Sequence, residues 1–446
     1  MEPADVRSAP VRALAEALRE AAIAIGAPGD FSPQVERPAD PSHGDFASNA
    51  ALVLSGRLGR APRDLAAQLA ERLELESTGV ADVSIAGPGF LNFTLSDEVL
   101  WKGLRLVLEL GEDWGRSSAN QPLRYNVEFV SANPTGPLHV AHGRGAAIGD
   151  ATASLLEWTG HEVEREFYVN DAGRQIELLG ESIEARWLQA RGADVEMPQG
   201  GYQGEYIRDI ARDLAEELGD TQLEVLERSE RLRLLSARAA NLLRAGQEQD
   251  LADFGVHMDH WFDESSLFLT GDVEGLLARL LESGRAYRDD GAVWLRTTDL
   301  GDEKDRVLVK SDGSHTYFVS DIAYHLDKEE RGFQRAIDVW GADHHGHVPR
   351  MQAALGSLGL AEGFLEVLLI QLVTVMRGGE EVRMSKRAGQ VVSLRDLFSE
   401  TGPDVARYFF LMRRAEVPMT FDLDLALDTS DANPVYKVQY AHARMC

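Results

Sequence analysis

The segment from 124 to 169 leaves a chain few ways to fold. It opens with YNVEFV, an apolar run of strand composition, and closes with the strand-like stretch 161–169 ending in FYV. Between them lies NPTGPLHVAHGRG, with two prolines, three glycines and two histidines. GAAIGDATASLLEWTG follows, and its small and apolar residues recur at helical spacing over 142–159. Strand, turn, helix and strand in one run make a βαβ unit. Strands joined through a helix run parallel, and a parallel sheet needs cover on both faces. The expected fold class is α/β.

At 446 residues the chain is long for a single core. Before the βαβ unit the pattern predicts helices over 10–25, 46–58 and 62–74, the last opened by Pro62. Strands at Val80–Ala86 and Phe90–Leu95 and a helix over 97–110 complete a small α+β domain. After it, polar stretches with periodic leucines at 172–192, 203–219 and 222–252 read as an inserted helical region. Short strands with Asp-Gly turns at 290–291 and 312–313 are expected across 286–320. A strand, helix and strand recur at 335–341, 346–359 and 364–375, and ANPVYKVQYAHARMC begins another helix.

No apolar run is long enough to span a membrane. The acidic start lacks the apolar core of a secretory signal. A single cysteine, Cys446, excludes an internal disulfide framework and a cysteine-based zinc cluster. These features point to a cytoplasmic protein. A net charge of −28 speaks against a nucleic-acid partner. Binding depends on the local field, however, and basic clusters stand at Arg383 to Arg387 and at Arg407, Arg413 and Arg414.

A glycine-rich turn after a parallel strand gathers backbone N–H groups at a helix N-terminus, which is an anion site suited to nucleotide phosphate. His139 and His142, three apart, face one side within the first helical turn. There they can donate to phosphoryl oxygens that gain charge in a transition state. An HxxH pair is otherwise a surface accident or half of a metal site. Far along the chain, GGEEVRMSKRAGQVVSL offers a tight hairpin at Gly378-Gly379 and then Lys386, a point charge that a mobile loop could close over a triphosphate. A solvated basic loop is the plainer reading of that segment.

In this order, the two motifs resemble the signatures of the class I aminoacyl-tRNA synthetases, HVAH the first and RMSKR the second. With VEFVSANPTGPLHVAHGRGAAIGD, FYVNDAGRQI, TYFVSDIAYH, WGADHHGHVPRM and NPVYKVQYAHAR, the chain resembles the arginyl-tRNA synthetase family from near His43 to its last residue. That resemblance implies a Rossmann-like class I synthetase catalytic domain with helical insertions, plus a small N-terminal α+β domain. Residues 1–115 would touch the tRNA elbow, 116–432 would be catalytic with the insertion at about 172–260, and 433–446 would begin a helical anticodon-binding domain. The implied reaction ligates L-arginine to its cognate tRNA through an arginyl-adenylate. ATP is the co-substrate, with Mg2+ on the triphosphate, and AMP and pyrophosphate leave. Partners are arginine and arginine tRNA; a monomer is expected, with no membrane, no protein-held metal and no tightly bound cofactor.

Residue by residue, the first motif falls on Ala132, Asn133, Pro134, Thr135, Gly136, Pro137, Leu138, His139, Val140, Ala141 and His142. The resemblance implies catalytic roles for His139, His142 and Lys386. It places ATP against His139, His142, Gly143, Asp343, His344, His347, Met384, Ser385 and Lys386, and arginine against Glu128, Ser131, Asn133, His142, Tyr317, Asp321 and His344. A guanidinium needs planar, charged acceptors, which Glu128 and Asp321 are. Tyr317 shares a face with Asp321 if the segment is helical. The plainer readings are an edge-strand carboxylate for Glu128, a helix N-cap for Asp321 and buried structural histidines at 344 and 347. GDFASNAAL and AGPGFLNFTL look like signatures of the N-terminal module, with Phe46 or Asn49 against RNA, or Phe46 in the core.

Three positions depart from the family pattern: Ala141 for the usual glycine, Arg383 for the usual first lysine, and Gly136 where some members carry lysine. The anticodon-binding domain is expected to continue well past Cys446, so tRNA discrimination is expected to suffer. The family generally needs tRNA for its first step. A non-catalytic paralogue that binds RNA or a partner protein is the alternative. The intact His139, His142, Lys386 and pocket carboxylates speak against it, and two carboxylates also speak against an anionic amino acid as substrate.

Overall fold

The computed structural model describes residues 3–75, 78–117, 119–382 and 392–446. The chain divides into two compact units, residues 1–122 with 158–160 and residues 123–157 with 161–446. No helix among the described residues is long and apolar enough to cross a membrane.

The first unit contains helix α1 (Pro3–Ala24), strand β1 (Phe46–Ser48), helices α2 (Ala50–Leu58) and α3 (Pro62–Arg72), strands β2 (Val80–Ala86) and β3 (Phe90–Leu95) and helix α4 (Asp97–Leu110). Pro62 opens α3, where a missing N–H costs nothing. The sheet runs antiparallel in the order β1-β3-β2. Leu14, Leu18, Leu54, Leu65, Leu69, Leu91 and Phe93 form its fully buried core. The helix expected over 46–58 begins only at Ala50. Phe46, Ala47 and Ser48 pair instead with Leu91–Phe93, and all three are buried, which a strand lined on both sides achieves and a surface helix does not. Phe46 is therefore a core residue and not an RNA contact.

The second unit opens with the expected βαβ: β4 (Arg124–Glu128), α5 (Val140–Trp158) and β5 (Glu162–Val169). The insertion is α6 (Arg174–Ala190), α7 (Glu205–Leu218), α8 (Asp220–Val225) and α9 (Arg228–Asp253). The single helix expected over 222–252 is two, because Leu226 and Glu227 are extended. Next come β6 (His260–Asp263), α10 (Glu264–Leu269), α11 (Asp272–Glu282) and the antiparallel strands β7 (Ala286–Asp289), β8 (Ala292–Leu295) and β9 (Arg306–Val309). Residues 317–320, expected among the short strands, open helix α12 (Tyr317–Glu330), which leads to β10 (Arg335–Gly341), α13 (Val348–Ser357) and β11 (Leu365–Ile370). The remainder is β12 (Val373–Arg377), β13 (Glu380–Glu381), α14 (Leu394–Thr401), α15 (Pro403–Leu411), β14 (Met419–Asp422), α16 (Leu423–Leu427) and α17 (Pro434–Met445).

The central sheet has the order β11-β10-β4-β5-β6, every pair parallel. From β4 the chain moves one way to β5 and β6, and later the other way to β10 and β11. The strand order reverses between β4 and β10, and in open α/β sheets ligands enter the crevice at the carboxyl ends of such strands. Glu128 ends β4 there.

The strand expected over 364–375 breaks in the middle. The Gln371 carbonyl accepts from Arg144 Nη1 at 2.8 Å, and β12 joins a separate sheet of order β13-β12-β14. Arg144 is fully buried on α5, and its Nη2 also donates to the carbonyls of Arg414 and Val417 at 2.8 and 2.9 Å. Close packing of α5 depends on glycine: a Cβ at Gly149 would lie 2.2 Å from the Phe129 ring, and one at Gly143 would lie 2.5 Å from Leu394 Cδ1.

Candidate active site

Past Glu128 the chain reverses through Val130 (φ 72°) and Ser131 (φ 42°), left-handed conformations that residues with side chains rarely adopt. Each costs about 1–3 kcal/mol, and such strain gathers at functional sites. Here it folds the Ser131 hydroxyl back onto the strand ends. Ser131 Oγ donates to Glu128 Oε1 at 2.8 Å and accepts from the Tyr168 N–H at 3.1 Å.

The Pro-Gly turn that follows is gripped by the helical insertion. Gln247 of α9, 2% exposed, donates through Nε2 to the carbonyls of Asn133 (3.0 Å) and Gly136 (2.9 Å). Tyr206 of α7 donates to the Thr135 carbonyl at 2.9 Å. An added Cβ at Gly136 would sit 3.2 Å from the Tyr206 hydroxyl, so the glycine there fits this neighbour. Asn133 Nδ2 donates to Gln175 Oε1.

His139 and His142 stack, with ring centroids 3.6 Å apart, at the N-terminus of α5. The His139 backbone N–H donates to His142 Nδ1 at 3.2 Å. An accepting Nδ1 puts the proton of neutral His142 on Nε2, where the ring is a donor. Gly143, expected against ATP, is buried against Leu394 and Phe410, so packing accounts for its missing side chain. The second motif, with Arg383, Met384, Ser385, Lys386 and Arg387, lies outside the described residues. Its downstream flank does not: Ser393 forms an antiparallel bridge with His139, and the Leu394 N–H donates to the Leu138 carbonyl at 2.8 Å. The chain that follows the second motif is thus anchored beside the histidines at Ser393 and Leu394. The basic strip expected over 383–414 is in part neutralised, since Arg395 pairs with Asp250 and Asp253 and Arg407 with Asp150.

Glu128 is no edge-strand carboxylate. It sits in the middle strand, in register with Asp338 on one side and Glu166 on the other, and all three are buried. Buried carboxylates need partners, and α12 supplies them from one face. Lys328 Nζ, with no exposure, donates to Glu128 Oε2 and Asp338 Oδ1, both at 3.0 Å. His325 Nε2 is 2.8 Å from Asp338 Oδ2. Arg331 donates to both Glu166 oxygens at 2.6 and 2.9 Å, and Tyr324 donates to Glu166 Oε1. Burial works to raise the Asp338 carboxyl, but Lys328 and His325 overcome it and hold it at about 2. Glu128 is raised, because burial outweighs Lys328.

Asp321 is not an N-cap, since α12 begins four residues earlier; it shares that helix with Tyr317, which is exposed. His347, expected on the ATP side, has Nε2 3.1 Å from Asp321 Oδ2. His344 is not a buried structural histidine: its side chain is 59% exposed, 3.6 Å from the exposed Asp343.

Sequence reasoning missed two further groups. Glu264, which opens α10, is 6% exposed, and its carboxyl is raised to about 7, first by burial and next by Asp321. The buried Tyr168 hydroxyl lies against Glu264; burial, with Glu264, Asp321 and Glu128 behind it, raises that phenol. Glu264 and the Tyr168 hydroxyl thus share buried surroundings with Asp321, a set of acceptors that suits a cationic group.

The family model described as "Arginyl tRNA synthetase N terminal domain" matches residues 12–95, and "tRNA synthetases class I (R), catalytic domain" matches 110–408. An arginine–tRNA ligase of Bacillus licheniformis is 47% identical over 436 residues, covering 97% of this chain and 78% of the other. One of Geobacter sp. strain M21 is 48% identical over 411 residues, covering 92% and 74%. A solved Thermus thermophilus arginyl-tRNA synthetase is similar in fold, with a TM-score of 0.66 at 24% identity over 97% of this chain and 80% of that one.

Proposed function

Because the chain belongs to the arginyl-tRNA synthetase family, we propose that the crevice between β4 and β10 holds a triphosphate on the histidine side and a guanidinium on the carboxylate side. The reaction is the ligation of L-arginine to tRNA at the expense of ATP, through an arginyl-adenylate, with release of AMP and pyrophosphate. One observation carries the division of the site. A single turn, 128–142, has Ser131 and Glu128 at one end and the stacked imidazoles at the other.

In the first step the arginine carboxylate attacks the α-phosphate. Charge builds on the phosphoryl oxygens, and the barrier falls mainly through positioning and preorganised donors. His142 Nε2–H and the N-terminus of α5 are such donors, and His139 stacks beside them. Lys386 closes over the departing pyrophosphate. The Mg2+ arrives on ATP. On the other side Asp321, Glu128 and Glu264 face the guanidinium, with Tyr317 against its stem. His347 orients Asp321, while His344 and Asp343 lie toward the adenosine. The first unit takes the tRNA elbow. The enzyme acts as a monomer in the cytoplasm.

The test is arginine-dependent ATP–pyrophosphate exchange with and without arginine tRNA. Exchange that needs arginine and rises with tRNA is expected. A folded chain silent under both conditions would favour the alternative, a non-catalytic paralogue that binds RNA or a partner protein.

A further inference from the structure

Glu128 has a partner before any substrate arrives. Its Oε2 accepts from Lys328 and its Oε1 from Ser131, each at 3.0 Å or less. Two such bonds leave the carboxylate with unused lone pairs, one on each oxygen. Lys328 itself has no exposure, is pinned from behind by Asp338 at 3.0 Å, and has its ammonium 4.3 Å from the centre of the Tyr324 ring. The lysine can neither swing away nor be replaced by water.

A cation behind a substrate-binding carboxylate has a physical purpose. Burial alone drives a carboxyl toward its protonated form. A protonated Glu128 would present an O–H where the guanidinium needs an acceptor, and the charge-assisted bond would be lost. Asp338 shares Lys328 with Glu128 and takes His325 on its other oxygen. We propose that Lys328 is a positioning residue for arginine recognition: its ammonium draws Glu128 toward its ionised form against burial and pins Oε2, so that the remaining lone pairs face the guanidinium. This rests on the reading of Glu128 as an arginine acceptor. The groups facing the pair are Asp338 of β10, Glu166 and Tyr168 of β5, Ser131 of the turn, and Tyr324 and His325 of α12.

The experiment is arginine binding by calorimetry from pH 6 to 8.5 for the wild type, Glu128→Gln, Lys328→Met and Lys328→Arg, with ATP affinity measured in parallel. Lys328→Met is expected to raise the arginine Kd at least about tenfold at pH 7, the worth of one charged hydrogen bond. Between pH 7.5 and 8.5, where Glu264 is already ionised, the wild type should be flat. There Lys328→Met should improve steadily with pH as Glu128 sheds its proton. Lys328→Arg should stay near wild type and flat, and ATP affinity should hold in all variants. Arginine affinity unchanged in Glu128→Gln overturns the pocket reading. A weakened Glu128→Gln beside a Lys328→Met that binds like wild type, or that binds weakly with a flat profile, overturns the role of Lys328 alone. If Lys328→Met does not fold, Lys328→Gln keeps a donor without the charge and is judged by the same profile.

Discussion

Protonation of Glu264 should govern how arginine binding responds to pH. Its carboxyl is raised from 4.5 to about 7, by burial first and then by Asp321, with Asp171 adding to it. Holding that carboxyl ionised in the empty pocket costs about 3 kcal/mol, at 1.36 kcal/mol for each tenfold shift. The folded value lies above the unfolded one. The carboxyl's contribution to stability is therefore complete below about pH 4.5 and is lost as pH rises through about 7. A guanidinium placed between Glu264 and Asp321 reverses this by pulling the proton off. If the bound complex returns the carboxyl to its ordinary range, the arginine Kd at pH 6 should be about ten times that at pH 8.

Calorimetric titration of arginine across that range measures the dependence directly, and Glu264→Gln isolates its source. The amide still accepts hydrogen bonds and has no proton to lose. The variant should bind arginine weakly and flatly, and its ligand-free melting temperature at pH 8 should exceed that of the wild type, while below about pH 4.5 the two should converge. A tenfold pH dependence that survives in Glu264→Gln would refute the reasoning, as would a variant less stable than wild type at pH 8.

Asp321→Asn should raise the arginine Kd by about ten- to a hundredfold, the worth of a charged hydrogen bond turned neutral; unchanged binding would move the pocket elsewhere. Lys386→Ala should lower first-step turnover with arginine affinity held, and single-turnover adenylate formation reads this directly. Gln247→Leu releases the carbonyls of Asn133 and Gly136 and should lower kcat by about a hundredfold through misplacement of the turn. Tyr206→Phe should do so more mildly, and wild-type kcat in both would show that the insertion does not hold the turn.

The parts of the fold that announced themselves in the sequence are local. Pro62, the Gly-Pro-Gly between β2 and β3, and the turn before α5 each restrict the backbone where they stand, and the elements appear beside them. Errors arise where a distant partner decides. Phe46–Ser48 could be helical until β3 lies alongside. The run through 364–375 could be one strand until Arg144 takes the Gln371 carbonyl. The same division holds at the site. HVAH is visible because its spacing is its chemistry, and the stacked rings follow. Gln247 and Tyr206 were invisible, since a glutamine and a tyrosine in polar helices carry no mark of the turn they grip.

The ionic comb on α12 lies between these cases. Tyr324, His325, Lys328 and Arg331 recur along one helical face, and VEF, REF and AIDVW each place an acid inside an apolar strand. Either pattern alone reads as a solvated face or an edge strand. Taken together they make a constraint: acids at one register of a buried parallel sheet cannot stay ionised unless a neighbouring helix brings donors at matching spacing. That constraint orders the site. Once four donors are spent on Glu128, Glu166 and Asp338, the register of α12 on the sheet is set. Its first turns, with Tyr317 and Asp321, then fall over the end of β4. Beside that end lie Glu264 and Asp321, the second held by His347 at 3.1 Å, and these are the carboxylates proposed to meet the guanidinium.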